Sequence, residues 1–94
     1  MSGTVADRIE RKLTAALVPS RLRVIDESGR HVGHAGARPG GETHFRVEIE
    51  AAAFAGLSRL ERQRRVHAIL AEELAGGVHA LSMALSAPGE RASG

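Results

Sequence analysis

The 94-residue chain contains no cysteine, no tryptophan and no tyrosine, and its aromatic rings are two phenylalanines. Without cysteine it has no disulfide framework, no self-contained thiolate zinc site and no iron–sulfur cluster held by its own sulfurs. Any metal chemistry must run on histidine, carboxylate or ligands from another molecule. No apolar run approaches the roughly 20 residues of a membrane span. The start "MSGTVADRIERKL" is amphipathic and carries acids, which does not read as a secretory signal and disfavours an organellar transit peptide, so the cytoplasm is the expected compartment.

What is present bounds a single small domain. At 43% hydrophobic, a chain this short buries only about 60–65% of its unfolded surface and has no material for a second core. One domain over residues 1–94 is expected, with a core from about 5 to 88 and a small polar tail, 89–94, that frays. The sequence pI of about 10.4 suggests a nucleic-acid binder, yet the formal net charge is +2. Twelve of the thirteen basic residues are arginine, so the high pI reports mainly guanidinium groups that do not deprotonate near neutrality.

The periodicity predicts an alternating set of elements. Thr4, with Asp7 three residues on, reads as a helix start, and Val5, Ile9, Leu13, Ala16 and Leu17 recur at helical spacing up to Pro19. "RLRVI" alternates as a half-buried strand. A loop broken by Gly29, Gly33, Gly36, Pro39, Gly40 and Gly41 follows. "THFRVEIE" alternates again, with Phe45, Val47 and Ile49 inward and His44, Arg46, Glu48 and Glu50 toward water. "AAAFAG" is a short helical turn, and "SRLE" at Ser58–Glu61 matches a capping box. One long helix is predicted from there to about Ala75, with Leu60, Gln63, Val66, His67, Leu70 and Leu74 on its inward stripe. Gly76 and Gly77 end it, and "VHALSMAL" forms a third strand. A long helix between strands two and three suits parallel pairing, and the loop between strands one and two suits antiparallel pairing. The expected fold is a small α+β two-layer αββααβ domain with a three-stranded mixed sheet.

Three of the five histidines, His31, His34 and His44, fall in or just after the glycine-rich loop. His-Val-Gly-His does not by itself make a metal site, and loop histidines are ordinarily solvated. His79, grouped by alternation with Leu81, Met83 and Leu85, reads on its own as a histidine at the edge of the core, and His67 reads as packed.

The run "DES" with a His-bearing loop, then "ETHFRV", "FAGLSRLERQRR" and "LAEELAGGVHALSM", resembles the BolA family from about Ile9 to Pro88. The resemblance implies a class II KH-like fold and a non-enzymatic adaptor. It implies a monothiol CGFS-type glutaredoxin as partner, with a glutathione-assisted [2Fe–2S] cluster shared between the two and no cofactor bound by this chain alone. His79, in the family's "HAL" segment, is then the expected cluster ligand, and His31 or His34 the second; His44 is taken as structural. Histidine can replace cysteine on one iron of such a cluster, as in Rieske centres. Alone, the chain is expected to be a monomer or weak homodimer. Many members have Arg-His-Arg where this chain has Arg62-Gln63-Arg64, and the loop carries an extra "GHAGA" segment.

Some family members are implicated in DNA binding, and Arg59, Arg62, Arg64 and Arg65 cluster where the long helix begins, an end that favours phosphate. Against a nucleic-acid contact stand Glu61, Glu72 and Glu73 on the same helix, the lack of rings for base stacking and the absence of a Gly-X-X-Gly turn. An enzyme is the reading with least support, because no nucleophilic cysteine, phosphate-binding glycine motif or spaced acid–base pair is present.

Overall fold

The structure, a computed structural model, describes residues 4–27 and 44–90. Helix α1 spans Val5–Leu17, strand β1 Arg21–Asp26 and strand β2 His44–Glu50; a 3₁₀ turn at Ala52–Phe54 leads to helices α2, Arg59–Ile69, and α3, Ala71–Gly76, and strand β3 is Ala80–Ser86. The sheet order is β1-β2-β3. β1 pairs antiparallel with β2, and β2 pairs parallel with β3, the arrangement expected from the loop and the helical crossover. No described helix is long and apolar enough to cross a membrane.

Local chemistry explains the helix ends. The Thr4 hydroxyl accepts the Asp7 N–H at 3.0 Å, giving α1 one of the partners its first turn lacks. At Ser58 the capping box is complete: Ser58 Oγ accepts Glu61 N–H at 3.1 Å, and Glu61 Oε1 accepts Ser58 N–H at 2.8 Å. These bonds also draw the Glu61 carboxyl below its ordinary range. Helix α1 ends less comfortably, with Val18 in the left-handed region at φ 45°.

One face of the sheet carries the core. Phe45, Val47 and Ile49 on β2 meet Ile9, Leu13 and Leu17 on α1 and Val66 and Leu70 from the helical crossover. The alternation in "HFRVEIE" is reproduced residue by residue, odd positions buried and even ones half-buried. On the outer face Glu48 accepts from Arg23 at 3.2 Å and Arg46 at 3.1 Å.

The long helix departs from expectation in two ways. It breaks at Leu70, where φ is −102° and ψ 21°, although Leu70 N–H still reaches the Val66 carbonyl and Leu74 N–H the Leu70 carbonyl. Its inward face is also rotated: Leu60 is 54% exposed and His67 is exposed, while Arg62 and Glu73 are buried. Arg62 and Glu73 extend the buried arc to one side of Val66 and Leu70, so apolar residues alone placed its centre wrongly. His67 is therefore not a packed core residue.

Candidate functional site

Sheet topology places His79 and the residues flanking segment 28–43 at one end. β1 finishes at Asp26, β2 starts at His44, and His44 lies opposite Ala80, the first residue of β3. Glu27 N–H donates to the His44 carbonyl at 2.8 Å, closing the last rung of the β1–β2 ladder. Both attachment points of segment 28–43 are therefore at this end. His31 and His34 belong to that segment and lie outside the described residues.

His79 sits immediately before β3 and is exposed, between buried Val78 and exposed Ala80. The expected strand began two residues too early, at Val78: pairing with β2 starts at Ala80, which leaves the imidazole at the strand's mouth rather than on the Leu81–Met83–Leu85 face. An exposed imidazole there is open to a group carried by a second molecule. Its neighbour His44 is half-buried at the head of β2. Among the described residues no group of three or more His, Cys, Asp or Glu converges in a way that could hold a metal ion.

The arginine set of the helix does not act as one patch. Arg59, Arg64 and Arg65 are exposed on α2. Arg62 is 9% exposed and fully engaged: Nη1 and Nη2 grip Glu90 at 2.7 and 3.1 Å, and Nε donates to the Leu57 carbonyl at 3.0 Å. Its guanidinium carbon lies 5.9 Å from the centre of the Phe54 ring, within cation–π range. Counting Arg62 as a phosphate contact is therefore corrected, because its donors are spent inside the fold. Glu90 also accepts Ala87 N–H at 3.0 Å. Arg62 first, and then that backbone amide, push its carboxyl down to about 2.

A second ion pair joins α1 to α3. Glu73, whose side chain is 2% exposed, receives Lys12 Nζ at 2.9 Å and Arg8 Nε at 3.4 Å. Burial pushes the Glu73 carboxyl up, but the bonds from Lys12, a backbone amide and Arg8 outweigh it, and the net displacement is downward. Glu72, at 2.6 Å from Lys12, lies on the solvent side. These side chains carried no signal in the apolar pattern; the spacing Val66, Leu70, Glu73 would have flagged Glu73 as an acid on an inward stripe.

A hollow of about 340 Å³ on the outer sheet face lies beside Arg21, Ile49, Glu50, Ser86 and Glu90. It lies toward the opposite end of the strands from His79, and Arg23 and Arg46 on its wall both pair with Glu48.

Residues 13–90 match the family described as BolA-like protein. The chain belongs to the BolA family. BolA-like protein 1 of Homo sapiens is 50% identical over 88 residues, covering 94% of this chain and 61% of that protein; this chain thus spans about three fifths of that relative's length. The DNA-binding transcriptional regulator BolA of Escherichia coli (strain K12) is 44% identical over 79 residues, 84% of this chain and 71% of that one. The structure of BolA1 from Arabidopsis thaliana superposes with a TM-score of 0.85 at 39% identity, covering 97% of this chain and 99% of that chain. This BolA-like chain shares with it the α+β fold described above.

Proposed function

We propose that this BolA-like chain is a non-enzymatic cytoplasmic adaptor that binds a monothiol CGFS-type glutaredoxin and completes the ligand set of a glutathione-assisted [2Fe–2S] cluster. Its part would be cluster assembly and trafficking or iron-dependent regulation. The observation that carries this reading is the exposed imidazole of His79 at the sheet end where both attachment points of the His31/His34 segment lie. With no cysteine in the chain, the sulfurs come from the partner, and the chain contributes neutral imidazole nitrogen. His79 supplies one ligand, and His31 or His34 the other.

The test is anaerobic titration into a glutathione-bound [2Fe–2S] glutaredoxin, followed by visible circular dichroism and mass. A new spectrum with one-to-one stoichiometry, altered by His79→Ala while the far-ultraviolet spectrum is unchanged, is the expected result. A spectrum that stays that of the glutaredoxin homodimer defeats the reading.

DNA binding is the second reading, favoured by the exposed Arg59, Arg64 and Arg65 on α2. Phosphate contacts release counterions, so such binding must weaken steeply with salt. If no complex forms with duplex DNA at low ionic strength, this alternative is finished.

A further inference from the structure

We propose that Glu73 is a positioning residue for His79, holding the turn that presents the imidazole by anchoring α3 to α1. Helix α3 has six residues, too few to be stable without tertiary contacts. Its buried residue is Glu73, and the carboxylate of Glu73 is held by Lys12 through both oxygens, at 3.1 and 2.9 Å, and by Arg8. The main-chain carbonyl of the same residue accepts the Gly77 N–H and, at 3.1 Å, the Val78 N–H. Glu73 thus fixes α3 with its side chain and the following turn with its backbone.

The turn needs such an anchor. Gly77 takes φ 143°, a conformation that L side chains rarely adopt, and two successive glycines leave the chain with the largest conformational freedom of any residue pair. Val78 is buried and His79 emerges directly after it. A ligand delivered to a cluster on another molecule acts best when its approach is set before the encounter. In this chain that approach is set by a carboxylate six positions upstream, through the α1 cations. The effect on the cluster rests on the reading above; the effect on the turn does not.

The experiment uses the full chain with Glu73→Gln, Lys12→Met and the conservative Lys12→Arg. In Glu73→Gln, Lys12 keeps Glu72 at 2.6 Å, and Lys12→Met gives a second route if that variant fails to fold. Amide hydrogen exchange of the free protein should accelerate about tenfold or more at Gly77–Ala80 while β1 and β2 keep wild-type rates, and Lys12→Arg should restore slow exchange. In the mixed complex, visible circular dichroism should move toward that of His79→Ala. Wild-type exchange at the turn in folded variants, or acceleration spread evenly over the chain, overturns the proposal. So does an unchanged cluster spectrum when His79→Ala changes it. If His79→Ala itself has no effect on the spectrum, the ligand reading falls, and exchange alone decides whether Glu73 holds the turn.

Discussion

Arg62 and Glu90 show at the scale of single residues how a charge becomes part of a core. The guanidinium presents a planar fork of donors, and here a carboxylate, a carbonyl and an aromatic face meet it from three segments. The ordinary glutamate value is 4.5, and in the fold Glu90 lies at about 2. Between those values the unfolded chain binds more protons than the folded one, so stability rises with pH there. The contribution of Glu90 should be complete above about pH 5 and should fade as the pH falls through 4.5 toward 2. Chemical denaturation of wild type and Glu90→Gln at several pH values checks this: the gap between them should close toward the acid end. A constant gap would place the interaction's worth in packing rather than charge. Arg62→Lys should recover little of the lost stability, since an ammonium cannot reproduce the bidentate grip.

Elements were legible where neighbours in sequence decide them. The Thr4 and Ser58 caps, the alternation of β1 and β2 and the glycine stop after α3 are local, and each appears where the pattern placed it. The rotation of α2 was not legible, because the buried position of Arg62 depends on Glu90, 28 residues away; in α3 the spacing marks Glu73 as inward, but not its partner Lys12, 61 residues away. Local periodicity treats an arginine or glutamate as outward-facing and cannot see a distant partner. The two-residue displacement of the start of β3 has the same origin: only pairing with His44 shows where the strand begins. Two measurements test the helix ends. Ser58→Ala removes a cap and should cost about 1 kcal/mol, lowering the midpoint of thermal unfolding by about 4–8 °C. Val18→Gly should have the opposite sign. A β-branched residue at φ 45° just before Pro19 is strained, and glycine relieves roughly 1 kcal/mol of that even after its greater freedom when unfolded. A lower midpoint for Val18→Gly would mean that Val18 is held there by contacts worth more than the strain.

At the scale of the whole molecule, the fold separates what is packed from what is offered. The core lies between one sheet face and the helices, around Phe45, Phe54 and Leu13, each at most 1% exposed. Phe45→Ala should cost about 3–5 kcal/mol in equilibrium denaturation, a large part of the stability of a domain this size. His79 is exposed outside that core, so His79→Ala should leave stability within about 0.5 kcal/mol of wild type. The resemblance points to His79 and the loop histidines, and the sheet topology explains why His79 and both ends of that loop lie at the same end of the strands. β1 and β2 are held in register by six facing pairs from Arg21↔Glu50 to Asp26↔Phe45, independent of what joins them. Halving or doubling the connecting segment changes its closure entropy by only about 0.6 kcal/mol. The hairpin is therefore a socket: the segment between its strands can be exchanged for one of another length or other side chains, and the chemistry offered at that end can diverge while the domain beneath stays the same.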